Sequence, residues 1–161
     1  MNECTEKIVF NVADNLSHYS STTLAPCDVR MYSQYFASGV NSTSQCAAWT
    51  SFVARLTCTS YSQLQLSASD DPIGITLADS TVVNGIATAL RTFSSYNVTS
   101  NGYKWNVGIC GAGIGLTTSG NPCACPAEYT IRPCIAVNTL WGGINSTTCP
   151  AGSQTMTLLF Q

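Results

Sequence analysis

One dipeptide constrains this chain more than any other: Asn101-Gly102, between Tyr96-Asn97-Val98-Thr99-Ser100 and Tyr103-Lys104-Trp105-Asn106-Val107. A two-residue type I′ turn needs positive φ at both central residues, and Asn-Gly is the pair that adopts it most readily. Two runs of β-prone residues around such a turn predict a hairpin, which places the chain among antiparallel β proteins.

The rest of the pattern agrees. Leu64, Leu66 and Ala68 alternate with polar residues, and Ile73, Ile75 and Leu77 alternate again after Asp70-Asp71-Pro72, so two strands joined by a turn are expected. Further strands are expected at 129–135 and at 154–160, where Met156-Thr157-Leu158-Leu159-Phe160 is apolar enough for a sheet interior. Residues 27–36 fit no single period. Two segments break into helical spacing. Trp49, Phe52, Val53 and Leu56 do so between Ser44, a cap, and Thr57. Val82, Val83, Ile86, Leu90 and Phe93 do so after a cap at Asp79 or Ser80. From Gly108 to Gly115 and from Gly120 to Pro126 the composition reads as loop, and so does Trp141-Gly142-Gly143. The expected fold is mainly β: a disulfide-stapled antiparallel sheet or sandwich with two short inserted helices. Residues 1–13 form an extension and residues 14–161 one domain.

Cysteine number and charge then bound the environment. The chain has 9 cysteines in 161 residues but only 6 Lys and Arg and 8 Asp and Glu. Thiols at that density persist as disulfides outside a reducing cytosol, so a secreted, cell-surface or extracellular protein is expected, its leader already removed. Cys27, Cys46, Cys58, Cys110, Cys123, Cys125, Cys134 and Cys149 are the candidates for pairing, with Cys4 the odd one, available to a partner chain. On one straight helix Cys46 and Cys58 would stand about 18 Å apart, too far to bond to each other. Cys123 and Cys125 each need a different neighbour, because a ring closed over one residue is strained.

With 9% charged residues and a net charge of -2, the surface is built of hydroxyls and amides, 39 of 161 residues being Ser or Thr. Such a surface offers phosphates nothing to neutralise, which argues against nucleic acid, and it tolerates close lateral packing or contact with sugars. No run of 18 apolar residues is present to span a bilayer as a helix.

Chemistry-bearing motifs are sparse. Gly111-Ala112-Gly113-Ile114-Gly115 lacks the Lys-Ser or Lys-Thr and the following helix that a phosphate cradle needs. The single histidine, His18, is more than a hundred residues from Cys123-Ala124-Cys125, so zinc spacing is not met and no metal or other cofactor is expected. No nucleophile and base can be paired, and the chain is read as non-enzymatic. Asn15, Asn41, Asn97 and Asn145 open Asn-X-Ser/Thr sequons, about as many as chance supplies in so hydroxyl-rich a chain, so attachment of sugar is permitted there. Tyr103 and Trp141 are the aromatics available to stack on a sugar ring.

The amino-terminal segment stands apart. In Lys7-Ile8-Val9-Phe10-Asn11-Val12, residues Ile8, Phe10 and Val12 share one face, and about ten polar residues separate the segment from the main body of the chain. A lone strand leaves its backbone groups unpaired, so it must join a sheet: its own, or that of the next subunit by strand donation.

In these respects the chain resembles extracellular pilus-type fibre subunits that polymerise by donor-strand exchange. The resemblance rests on the alternating strand at 7–12, a disulfide-bearing β domain of about 150 residues, the nearly uncharged Ser/Thr-rich composition and the apolar strand at 155–160. It implies an Ig-like or pilin-like sandwich, Ile8, Phe10 and Val12 as donor residues, and copies of the same chain in a helical or linear polymer as partners; surface glycans are the further partner that a sugar-tolerant surface admits. The two helices and the number of cysteines depart from the usual pilin pattern. The other reading is a secreted carbohydrate-binding or adhesive module using Tyr103 and Trp141.

Overall fold

The computed structural model describes residues 28–36, 42–69, 71–108, 111–118, 129–134, 140–142 and 154–161. Among these, nine strands form two antiparallel sheets and two helices complete the core. The first sheet has the order β1-β9-β2-β3, with β1 Arg30–Phe36, β2 Leu64–Ala68, β3 Asp71–Leu77 and β9 Gln154–Phe160. The second runs β4-β5-β6-β7-β8, from β4 Tyr96–Ser100 and β5 Tyr103–Gly108 through β6 Gly111–Thr117 and β7 Tyr129–Arg132 to β8 Leu140–Gly142.

The predicted hairpin is β4–β5. Asn101 and Gly102 take φ of 52° and 76°, and Ser100 faces Tyr103 across the turn. The Asn101 side chain donates Nδ2–H to the Thr76 carbonyl at 2.8 Å, tying this turn to the first sheet. Strand β9 lies inside its sheet, as its apolar run predicts, with Met156, Leu158 and Phe160 facing the core. Residues 30–36, which lack a single period, form edge strand β1. Its inward row is Tyr32, Gln34 and Phe36 while Met31 and Tyr35 point out, so neither face is cleanly apolar.

Helix α1, Ser42–Ala54, begins two residues before Ser44, which is therefore inside the helix and not its cap. It ends before Thr57 because the chain tightens at Arg55 and Leu56, whose N–H groups reach back only three residues to Phe52 and Val53. Leu56 is nevertheless buried with Trp49, Phe52 and Val53. Helix α2, Ser80–Thr92, is capped by Asp79, whose carboxylate accepts from the N–H groups of Thr81 and Val82. Val82, Val83, Ile86 and Leu90 are buried as expected, but Phe93 is 65% exposed. It leaves the stripe because it supplies the left-handed closing residue, with φ 52°.

The strands bring corrections too. Ile73 does not share the inward row of Ile75 and Leu77 but is 82% exposed, because a bulge opposite Ser67 puts extra residues into β3. Gly74 makes that bulge with φ 63°, so close to β2 that a Cβ would stand 1.8 Å from the Leu66 carbonyl oxygen. The glycine-rich stretch read as loop is β6, the central strand of its sheet. A Cβ on Gly113 would stand 2.2 Å from the Ile131 carbonyl oxygen and 2.8 Å from Arg132 Cγ, so the glycine admits close packing of β7 and of a buried arginine. Likewise Trp141 is not in a loop but in β8, opposite Ile131. Strand β7 stops at Arg132 and gives way to a turn at Pro133 and Cys134.

One continuous core joins both sheets. Tyr32, Trp49, Phe52, Phe160 and Tyr61 form a chain of ring contacts, with centroids 5.0 to 6.4 Å apart. Helix α1 packs on β1, helix α2 on β4, β5 and β6, and the helices touch each other. Tyr129 on β7 donates its hydroxyl to Asp71 Oδ2 at 2.7 Å, a latch between the sheets at the bulge.

Candidate subunit interface

A protein that adds a strand from a neighbour must offer an unpaired sheet edge, and the antiparallel ladders say which backbone groups face outward. Along such a strand, residues bond alternately to one side and to the other.

In β1 the residues bonded to β9 are Arg30, Tyr32, Gln34 and Phe36, because Gln161 and Gln63 bond to each other and set β9's odd positions toward β2. Met31, Ser33 and Tyr35 therefore face out. The Tyr35 carbonyl is already taken by Gln45 Nε2–H of α1 at 3.2 Å. Inside this edge, Tyr32 and Phe36 are fully covered.

The edge of β3 is guarded along most of its length. Pro72 has no N–H, the Gly74 N–H donates to Asp71 Oδ1, the Ile73 carbonyl accepts from Gln65 Nε2–H, and the Thr76 carbonyl accepts from Asn101.

Strand β4 differs. Ser100 and Tyr103 close the two-residue turn as a hydrogen-bonded pair, so Val98 and Tyr96 also bond to β5 while Asn97 and Thr99 turn their N–H and C=O groups away. Among the described residues nothing pairs with those groups. Tyr96 and Val98 are only half-buried against the core, and Tyr96 lies over Gly85 of α2, where a Cβ would come within 2.6 Å of its ring. The fourth edge, β8, is three residues long.

Ile8, Phe10, Val12 and Cys4 lie outside the described residues, as do Cys27, Cys110, Cys123, Cys125, Cys149, Asn15, Asn41 and Asn145. Cys46 bonds to Cys134, joining α1 to the end of β7 across 88 residues, so Cys46 does pair away from Cys58. Cys58 sits half-buried after α1 with its Sγ 3.6 Å from Ser60 Oγ. Beside the disulfide, Thr43, Ala47, Thr50, Ser51 and Ala54 of α1 and Pro133 line a shallow, largely apolar groove. Asn97 is exposed on β4, together with the Thr99 of its sequon. Tyr103 is half-buried, its ring set edge-on to the buried Trp105 at 6.5 Å, while Trp141 is placed by its backbone in β8.

Charge plays little part. Asp28 and Arg30 form a surface pair at 3.3 Å, worth little in water. Burial lowers the Arg132 guanidinium pKa and pushes the Tyr32 phenol well above the usual range. Among the described residues no His, Cys, Asp and Glu gather into a group that could hold a metal ion, and no helix is long and apolar enough to cross a membrane.

Sequence reasoning named a candidate donor strand, residues 7–12, which lies outside the described residues, and named no edge that could receive it. Such an edge is defined only once the strand order is known. Comparison with protein-family models, curated proteins and solved structures finds no match to this chain.

Proposed function

We propose that this protein is a non-enzymatic structural subunit of an extracellular filament or surface fibre, polymerising by insertion of its amino-terminal strand into the sheet of the next subunit. The observation that carries the reading is a complementarity: a sequence at 7–12 whose apolar and polar residues alternate as in a one-faced strand, and a sheet whose edge residues Asn97 and Thr99 present backbone groups unpaired among the described residues. A head-to-tail contact of this kind is heterologous, and when its rotation does not close it propagates into an open filament.

Three features support the setting. The Cys46–Cys134 disulfide suits an oxidising compartment. Two antiparallel sheets over one core fit a pilin-like or Ig-like sandwich. A chain in which only 9% of residues are charged, with a net charge of -2, lets like subunits approach with little repulsion. Tyr103, half-buried against Trp105, is better placed to pack than to stack on a sugar.

The test compares the full chain with one lacking residues 1–13, by negative-stain microscopy and sedimentation. Filaments from the full chain and monomers from the truncated one are expected. Filaments of equal length and yield without residues 1–13 would overturn the reading.

A further inference from the structure

Resting on the strand-donation reading above, the geometry points to β4 as the acceptor: residues 7–12 of a second copy of this chain pair along Asn97 and Thr99, adding a strand outside β4. Three observations select this edge. The β3 edge is blocked by Pro72, by the bulge and by three side-chain or local hydrogen bonds. The β1 edge has its Tyr35 carbonyl occupied by Gln45, and its inward residues are sealed by α1, so apolar side chains arriving there would gain little. At β4 the inward row is incomplete. Tyr96 and Val98 pack against the core yet stay half exposed.

Natural edge strands are usually blunted by lysine, proline, a bulge or an inward charge. Tyr96-Asn97-Val98-Thr99-Ser100 has none of these.

The occupant is set by the chain itself. Side chains on one face of a strand repeat about every 6.6 Å, so Ile8, Phe10 and Val12 run in step with Tyr96, Val98 and Ser100 and extend their half-covered row. Lys7, Val9 and Asn11 would then lie on the outer face beside Asn97 and Thr99, which are exposed and uncharged. The 15 residues from 13 to 27 would span up to about 50 Å if fully extended, a length that allows residues 7–12 to reach a neighbouring subunit.

The test uses the full chain. A photo-crosslinking phenylalanine derivative replaces Asn97, and assembled material is irradiated, run under denaturing conditions and mapped by mass spectrometry. A product of dimer mass joining position 97 to the peptide containing residues 7–12 is expected. A link to those residues within one chain, a link to another segment, or no link would overturn the assignment. In parallel, Thr99→Pro removes an outward N–H and leaves the β4–β5 ladder bonds in place. It should lower filament yield tenfold or more while keeping the parent's circular dichroism and cooperative melting, and Ser33→Pro on the β1 edge should assemble like the parent. Should Thr99→Pro fail to fold, the crosslink decides alone. Loss of filaments on removing residues 1–13 with none in Thr99→Pro would refute β4 yet leave strand donation standing. Filaments without residues 1–13 would refute both.

Discussion

Gly74→Ala and Gly102→Ala ask for the same sign of φ and should nevertheless differ widely in effect. Gly74 and Gly102 take φ of 63° and 76°, and left-handed backbone costs an L-residue about 1–2 kcal/mol. At Gly102 nothing lies within 4 Å of the added carbon, so that backbone term is the whole effect. At Gly74 the carbon would stand 1.8 Å from the Leu66 carbonyl oxygen and 2.8 Å from Ser67 Cα, all backbone, against an ordinary contact of 3.4 Å or more. Strand β3 must then back away from β2 by roughly 1.6 Å (3.4 minus 1.8), which opens the ladder between them around the Leu66–Ile75 pair. Losing two hydrogen bonds at about 1 kcal/mol each, with partial uncovering of buried Ile75, brings the Gly74→Ala loss to about 4 kcal/mol. Urea unfolding of the oxidised protein, followed by tryptophan fluorescence and circular dichroism, should therefore separate the two variants by about 3 kcal/mol. A separation under about 1 kcal/mol would mean that β3 does not bulge against Leu66, and the account of Ile73's exposure would fall with it.

Phe93→Gly relieves a left-handed cap at a largely exposed side chain and should raise stability by about 1 kcal/mol in thermal melts. Tyr32 is buried with no hydrogen-bond partner for its hydroxyl among the described residues, so Tyr32→Phe should be neutral or stabilising by up to about 1 kcal/mol at pH 7. The folded phenol titrates above its unfolded value, so its neutral form is favoured in the fold and stability falls once the pH passes about 10. Alkaline unfolding curves should show a shallower fall in Tyr32→Phe than in the parent. Removing the Cys46–Cys134 bridge by a double alanine substitution opens an 88-residue loop and should lower unfolding free energy by about 4–5 kcal/mol, read from urea curves of parent and variant.

The features legible in the sequence are those that local chemistry decides. Asn101-Gly102, the Asp79 cap, the Val82 to Leu90 stripe and the apolar β9 each carry their instruction within a few residues. The misreadings lie where a distant partner decides. Glycines at 111, 113 and 115 read as loop, yet Gly113 is in a strand because Ile131 and Arg132 need its empty side. Ile73 fits the alternation, yet a bulge beside Leu66 turns it out. Phe93 fits the helical stripe, yet the helix ends on it. Strand β1 is ambiguous because its inward row includes Gln34 and its outer face Met31 and Tyr35. For the proposed interface, the alternation of Ile8, Phe10 and Val12 is a local pattern in the sequence, whereas the edge position of Asn97 and Thr99 depends on strand order and leaves no mark in their own sequence.

The position of β9 has a further consequence during synthesis. Strands β1 and β2 are not bonded to each other; both bond to β9, whose partners in β1 lie 118 (Phe36 to Gln154) to 130 (Arg30 to Phe160) positions earlier. On the ribosome the first sheet thus has a gap at its centre until residues 154–160 have cleared the exit tunnel, while the β4–β5 hairpin can close as soon as it emerges. Folding that starts during synthesis would therefore leave the first sheet incomplete after the β4–β5 hairpin has closed, because its central strand β9 lies far down the chain.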